Sequence, residues 1–187
     1  MTQALEEDGP EALDFIDAAV SRMDQLTRAI LELSREGRRE LRLDRVPMET
    51  LAKDIVQTLS HQLAQRQAQI TIDPLPDVRA DRTAMGQILG NLLSNAVNYL
   101  QPGRPGEITL TAEPGPEMIT FHVQDNGRGI AADDMSKVIE PFRRAGAPDV
   151  PGEGMGLSYV RMLVRRHGGD IRCDSTLEVG TTFTLNG

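Results

Sequence analysis

Residues 123–130 read VQDNGRGI, an apolar strand end followed by an acid, an amide and two glycines on either side of an arginine. Asn126-Gly127 is a common turn signal, because both residue types tolerate positive φ, so a simple chain reversal is one interpretation. A ligand loop is the other. The Asp125 carboxylate can accept a hydrogen bond from an exocyclic amine, and Gly127 and Gly129 carry no side chains that would block a flat ring from the backbone. No Gly-Lys-Ser/Thr sequence follows, which excludes a Walker loop.

Two further motifs flank this loop along the chain. Asn91 and Asn95, in NLLSNAVNY, are four residues apart and therefore share one helical face. Their amide oxygens suit a hard cation such as magnesium, although two solvent-facing asparagines are the alternative. Gly154 and Gly156, in GEGMGL, precede a helix and leave backbone N–H groups open for a phosphate.

The segment between the loop and the second glycine motif is polar and contains three prolines. Such a composition does not suit a core, and it indicates a lid over a ligand. Phe142 is the expected apolar latch of this lid, and Arg143 or Arg144 can meet phosphates.

The rest of the sequence predicts alternating helices and strands. Asp81 is expected to cap a strong helix, roughly residues 82–100, with these apolar residues turned inward: Ile88, Leu89, Leu92, Leu93, Ala96 and Val97. Pro47 opens another helix with one apolar face: Met48, Leu51, Ile55, Leu59 and Leu63. Strands are expected within 41–48 and at 70–72, 107–113, 118–124, 170–174 and 181–185, with a helix at 156–167. The predicted fold class is α/β (α+β): a two-layer sandwich in which helices cover one face of a mixed sheet.

A long amphipathic helix, residues 11–39, precedes this sandwich. Apolar residues recur every seven positions in two seams: Ile16, Met23 and Ile30, and Ala19, Leu26 and Leu33. A helix of this kind buries its apolar stripe only against other helices, so we expect it to have a helical partner. The predicted domains are residues 1–44, with the helix and a hinge, and residues 45–187.

Composition narrows the class of protein further. The net charge of −8 argues against a general nucleic-acid or anionic-membrane binder, and no apolar run reaches the roughly 20 residues that span a bilayer. The single cysteine, Cys173, excludes an internal disulfide and a thiolate zinc site. We therefore expect a cytoplasmic segment that makes no membrane contact itself.

The ordered motifs Asn-x-x-x-Asn, Asp-x-Gly-x-Gly, Glu-Pro-Phe and Gly-x-Gly-x-Gly-Leu resemble the catalytic ATP-binding domain of sensor histidine kinases, a member of the GHKL superfamily. The resemblance runs from about Val46 to Gly187. Residues 1–39 resemble the loop and second helix of the hairpin through which these kinases dimerise and that carries the phosphoacceptor histidine.

The resemblance implies a role for each motif residue. Asn95 would hold Mg²⁺ with Asn91 beside it at the phosphates of ATP, and Asp125 would accept the adenine amino proton. The other residues expected to contact the nucleotide are Asn98, Tyr99, Gly127, Gly129, Ile130, Phe142, Arg144, Gly154, Gly156, Leu157 and Thr181.

Two positions depart from patterns seen in the superfamily. Asn98 stands where many members have lysine, which puts one phosphate contact in doubt. Asn91 stands where hydrolysing members have glutamate, and because an amide cannot act as a general base for water, transfer to protein is favoured over hydrolysis.

The resemblance also implies partners. The expected function is transfer of the γ-phosphate of Mg-ATP to a histidine absent from this chain, for relay to the receiver domain of a response regulator. None of the three histidines (His61, His122 and His167) has the neighbours of an acceptor box. A homodimer through helix 11–39 is expected. The alternatives are a catalytically silent nucleotide-sensing module and, less compatible with the heptad helix, a serine kinase of the same superfamily.

Overall fold

The computed structural model describes residues 39–116, 118–138 and 156–186, together with Val20, Met23, Asp24, Thr27 and Leu31. The chain divides into two compact units, Met1–Arg39 and Glu40–Gly187. In the first unit Val20, Met23, Asp24, Thr27 and Leu31 are helical, and the Thr27 hydroxyl donates to the Met23 carbonyl at 2.9 Å. Met23, which belongs to one heptad seam, is 67% exposed.

The second unit contains every other described element. In chain order these are β1 (Asp44–Val46), α1 (Met48–Thr58), α2 (Ser60–Arg66), β2 (Ala68–Ile72), β3 (Val78–Ala80), α3 (Arg82–Asn98), β4 (Gly106–Pro114), β5 (Ile119–Asp125), a 3-10 helix (Ala132–Lys137), α4 (Gly156–Arg166), β6 (Asp170–Thr176) and β7 (Gly180–Asn186).

Five strands form one mixed sheet in the order β2-β4-β5-β7-β6. β2 runs parallel to β4, and the other neighbours are antiparallel. Side chains alternate between the two faces: Phe121 and Val123 of β5 are buried, whereas His122 and Gln124 are not. The buried side chains share one core with those of α1, α3 and α4, which confirms the predicted two-layer sandwich.

Helix α3 is the central element of the core. All six of its residues predicted to face inward are at most 3% exposed. Asp81 caps the helix as predicted, because its Oδ1 accepts the Ala84 N–H at 2.9 Å. Its Oδ2 accepts the Arg42 N–H at 3.0 Å. This 2% exposed carboxylate therefore joins the start of α3 to the segment before β1.

His167, at the end of α4, also contacts this cap. A carbonyl can only accept, so the 2.8 Å contact between His167 Nδ1 and the Leu163 carbonyl requires the proton on Nδ1. The unprotonated Nε2 then accepts the Asp81 N–H at 3.2 Å. The predicted helix stop follows, with Gly168 at φ +82° and the Gly169 N–H bonded to the Val164 carbonyl.

Two local features differ from the sequence prediction. The helix expected after Pro47 is interrupted at Leu59, whose N–H is shared by the Ile55 and Val56 carbonyls, so α1 and α2 are separate although their apolar face continues. Strand β3, which pairs with β1 in a separate two-stranded ribbon, was not predicted. No helix among the described residues is long and apolar enough to cross a membrane.

Candidate functional site

Asn91 and Asn95 lie one turn apart on α3. Both are half-buried, whereas the intervening Leu92 and Leu93 are fully buried in the core. The two amides therefore share the helical face opposite the core contacts, as their spacing predicts.

Asn91 contacts the start of α4. Its Nδ2 donates to the Gln87 carbonyl at 2.8 Å, which fixes the amide plane. Its Oδ1 lies 2.8 Å from the place where a Cβ on Gly156 would stand. Gly156 therefore allows the N-terminus of α4 to reach an amide oxygen on α3. Leu157, the next residue, is half-buried and packs against the core.

Asp125 ends β5 as a buried carboxyl, 6% exposed. Its Oδ1 accepts the Gly127 N–H at 2.8 Å, and Thr181 lies opposite it in the register of β5 and β7. Burial raises the pKa of Asp125 to about 6, against the opposing effects of the Gly127 and Thr181 N–H groups and the Arg104 charge. Such a carboxylate is a strong acceptor in a site with little competing water.

The two glycines after Asp125 are required by the chain itself. A Cβ on Gly127 would lie 2.5 Å from the Tyr99 carbonyl oxygen and 2.6 Å from Asp125 Oδ1. Gly129 has a φ of +65°, and a Cβ there would clash with the Thr176 carbonyl. The loop therefore packs tightly between the end of α3 and the β6–β7 hairpin, a reason for these glycines that the sequence alone does not give.

Hydrogen bonds from Arg128 and Ile130 help to hold this loop to its neighbours. Tyr99 ends α3, and its carbonyl accepts the Arg128 N–H at 2.9 Å. The Ile130 N–H donates to Ser175 Oγ at 2.9 Å, and that hydroxyl in turn donates to the Gly180 carbonyl at 2.9 Å. These contacts place Tyr99 and Ser175 against the loop that runs from Asp125 to Ile130.

Asn98 is held less firmly than Asn91. It is half-buried on the last turn of α3, and its Nδ2 donates to Ser94 Oγ at 3.4 Å, a long hydrogen bond. An amide at this position supplies no positive charge.

Sequence reasoning missed two residues that shape the loop. Arg104 donates through Nη2 to carbonyls on two segments, among them the Gly127 carbonyl at 2.9 Å. Asn126 accepts the Glu107 N–H at 2.9 Å through Oδ1 and donates to the Pro105 carbonyl at 3.1 Å through Nδ2. Neither residue belongs to a periodic pattern. Asn126 was marked only as part of a turn signal, and Arg104 only as an arginine isolated within the turn sequence PGRPG.

Several predicted lid and phosphate residues, Phe142, Arg144 and Gly154, lie outside the described residues. Within residues 39–116, 118–138 and 156–186, no group of three or more histidine, cysteine, aspartate or glutamate side chains could hold a metal.

This chain matches a known protein family and is similar to characterised proteins. Residues 80–186, more than half of the chain, match the family described as histidine kinase-, DNA gyrase B- and HSP90-like ATPases. The sensor histidine kinase ZraS of Escherichia coli K12 is 33% identical over 181 residues, which cover 95% of this chain. The matched part is only 38% of the length of ZraS.

Solved structures of histidine kinases are also similar to this chain. Full-length ShkA in complex with AMPPNP matches 95% of this chain and 38% of its own chain, with a TM-score of 0.75 and 26% identity. The mycobacterial sensor histidine kinase MprB matches 78% of this chain and 96% of its own, with a TM-score of 0.64 and 25% identity.

Proposed function

Because this chain belongs to the family of histidine kinase-, DNA gyrase B- and HSP90-like ATPases, we propose that it is the ATP-binding catalytic core of a two-component sensor histidine kinase. It would bind Mg-ATP and transfer the γ-phosphate to a histidine. The proposal is supported by the similarity to ZraS over 95% of the chain, although this covers 38% of that kinase.

The observation that carries the proposal is the buried carboxylate of Asp125 at the end of β5. Adenine presents an exocyclic amine next to a flat ring, and a carboxylate accepts from such a donor. Gly127 donates to Asp125 Oδ1 and holds it in one orientation. Guanine presents a carbonyl at the corresponding position, which would meet the carboxylate as a second acceptor. Asp125 would therefore select adenine.

The phosphates would lie at the other end of the site, between α3 and the N-terminus of α4. The N-terminus of α4 carries the positive end of the helix dipole, which favours a phosphate. Asn91 Oδ1 points to the same helix start through its contact with Gly156. Gly154, Gly156 and Leu157 would border the triphosphate, and the proposed lid residues Phe142 and Arg144 would close over it.

The residues present fit a magnesium ion. Asn91 and Asn95 offer neutral amide oxygens one turn apart, and Asn91 Oδ1 is oriented by the Nδ2–Gln87 hydrogen bond. Mg²⁺ prefers oxygen ligands and is commonly held by few protein groups together with substrate phosphates. When bound, it neutralises charge on the phosphate oxygens. Asn95 is the proposed ligand, with Asn91 beside it.

Phosphoryl transfer needs positioning and charge neutralisation more than covalent catalysis. In this chain α3 and α4 would orient the triphosphate, and the lid would exclude water. An amide at Asn91 cannot take a proton from water, which favours transfer to a histidine over hydrolysis.

The acceptor histidine is proposed to lie outside this sequence. His167 is held by Leu163 and Asp81 within the fold, and His122 Nδ1 contacts the Thr184 hydroxyl at 3.1 Å. His61 is exposed on α2 and contacts Gln65. We also propose that the helix at 11–39 pairs with its copy in a dimer, that a response regulator receives the phosphoryl group, and that the domain works in the cytoplasm. The exposure of the seam residue Met23 is compatible with such pairing.

Nucleotide titration of the wild-type chain and of Asp125→Asn tests the pocket. We expect the wild type to prefer ATP to GTP and the variant to lose this preference, because the new amide can present a donor where adenine also presents one. Asn95→Asp is expected to change the Mg²⁺ dependence of ATP binding. Equal ATP affinity and equal preference in the wild type and in Asp125→Asn would contradict the assignment of Asp125.

A further inference from the structure

Arg104 occupies the turn between α3 and β4 and is half-buried. Its Nη2, which carries two N–H protons, lies within hydrogen-bond distance of the carbonyl oxygens of Gly127 at 2.9 Å, Glu178 at 3.1 Å and Val179 at 3.2 Å. The same nitrogen also contacts the Asn126 carbonyl. The acceptors belong to two segments far apart in sequence, the loop after β5 and the turn between β6 and β7.

Four carbonyl oxygens that converge on one point repel each other unless a cation lies among them. The guanidinium supplies that charge, and hydrogen bonds from charged donors are roughly twice as strong as neutral ones. One other backbone bond joins the same two segments, from the Glu178 N–H to the Arg128 carbonyl at 2.7 Å. Arg104 therefore lies at the junction of the loop and the turn.

The loop held by Arg104 is the one that orients Asp125. Gly127, whose carbonyl accepts from Arg104, donates its N–H to Asp125 Oδ1. The positive charge of Arg104 also acts on Asp125 and lowers the pKa of that carboxyl against the larger effect of burial. Arg104 thus acts on Asp125 in two ways. Through the Gly127 carbonyl it helps to fix the position of the carboxylate, and through its charge it favours the ionised form.

We propose that Arg104 is the positioning residue of the adenine loop: it fastens Asn126 and Gly127 to the β6–β7 turn and thereby fixes the Asp125 carboxylate against the base. This inference rests on the proposed function, because that function makes adenine the ligand of Asp125. If Arg104 only stabilised the β6–β7 turn, its replacement would leave the preference for ATP over GTP, and the pH dependence of adenosine binding, unchanged.

The test compares the wild-type chain with Arg104→Gln, Arg104→Lys and the control Arg79→Gln, which alters an exposed arginine on β3. Three quantities are measured: dissociation constants for ATP and GTP, the pH at which adenosine binding is half lost, and hydrogen–deuterium exchange of peptides covering 126–130 and 177–179. The exchange measurement needs no nucleotide.

Arg104→Gln is expected to weaken ATP binding about tenfold or more, since a charged hydrogen-bond donor is lost. It should also narrow the preference for ATP over GTP, move the pH midpoint of adenosine binding upward and speed exchange in both peptides. Arg104→Lys keeps the charge, so its pH midpoint should stay near that of the wild type while ATP affinity still falls, because an ammonium does not reproduce the planar fork. Arg79→Gln should match the wild type.

The inference would be overturned if Arg104→Gln matched the wild type in ATP affinity, in preference for ATP over GTP and in the pH midpoint of adenosine binding. This holds even if the two peptides exchanged faster, because Arg104 would then have a structural role only. Failure of the wild-type chain to bind ATP would instead overturn the proposed function, and with it this inference. The two failures are therefore distinguished by the wild-type titration.

Discussion

Asn91 Oδ1 and the backbone of Gly156 are in such close contact that a Cβ on Gly156 would lie 2.8 Å from the oxygen. This contact joins the middle of α3 to the N-terminus of α4 across 64 residues of sequence that include the β4–β5 hairpin and the proposed lid. It brings together an amide oxygen, a ligand type that Mg²⁺ accepts, and a helix N-terminus, which favours a phosphate.

Gly156→Ala should therefore weaken binding of ATP and ADP while leaving adenosine binding unchanged. The added methyl group must displace either the Asn91 amide or the start of α4, and both are proposed to contact phosphates. Titration calorimetry with the three ligands measures the effect, which we expect to be about tenfold for ATP.

Gly86→Ala is the matched control. Gly86 also lies on α3, but a Cβ there makes an ordinary contact of 3.7 Å with Leu51 Cδ1. This change should leave nucleotide binding intact and stabilise the helix by up to about 1 kcal/mol. An equal loss of ATP affinity in both variants would contradict the phosphate assignment.

Asp125→Asn should stabilise the fold at neutral pH. Burial raises the pKa of Asp125 from its ordinary 3.8 to about 6 in the folded chain, so the folded state holds this proton more tightly than the unfolded state. The carboxyl therefore does not lower the free energy of unfolding below about pH 4. As pH rises from about 4 to about 6 the ionised carboxylate lowers that free energy progressively, and above about pH 6 the loss is complete. Its size is on the order of 1–3 kcal/mol.

Urea unfolding of both proteins at several pH values measures this cost. The wild type and Asp125→Asn should have similar stability near pH 4, and the variant should be more stable at pH 8. Asp174→Asn, which alters an exposed residue of β6, serves as a control and should show no such gain. A variant no more stable than the wild type at pH 8 would contradict the account of burial.

Adenosine binding should weaken as pH falls through about 6. Above this pH Asp125 is an ionised acceptor, and below it protonation occupies one oxygen and removes the charge. Adenosine has no phosphate that titrates, so a change in its affinity reports on the protein. Binding at pH 6 should also release a fraction of a proton, which calorimetry in buffers of different ionisation enthalpy detects. A flat pH profile would exclude Asp125 from the base site.

Asp81→Ala should destabilise the fold by about 2 kcal/mol or more, because it removes the cap of α3 and an acceptor for the Arg42 N–H. Asp81→Asn keeps an oxygen acceptor for the cap and should cost less. Denaturant midpoints and m-values check both changes. Equal stability of Asp81→Ala and the wild type would show that neither hydrogen bond contributes.

The sequence predicted those features that depend on local signals. Helix α3 combines a cap at Asp81 with apolar positions at helical spacing, and each of them is buried. Strand β3 was missed because three residues are too few to show the alternation of apolar and polar side chains that marks a strand. It forms a strand through its pairing with β1. The interruption at Leu59 was missed because the apolar face of α1 continues through it into α2.

The candidate site was predictable as a set of motifs, but its supporting contacts were not. Asn91, Asp125 and Gly127 belong to short patterns that can be recognised in sequence. Arg104 contacts residues 22 to 75 positions away, so no local pattern marks it. The glycines of the loop were expected to make room for a ligand, whereas the carbonyls of Tyr99 and Thr176 already require them.

The most direct test of the central claim is transfer of label from γ-labelled ATP, with Mg²⁺, to this chain alone and to the chain extended by a hairpin helix that bears an acceptor histidine. We predict acid-labile, alkali-stable label on the extended protein, no label on the chain alone, and loss of labelling in the Asp125→Asn variant of the extended protein. Label on neither protein, although both bind ATP, would contradict the kinase assignment and identify the chain as a nucleotide-sensing module.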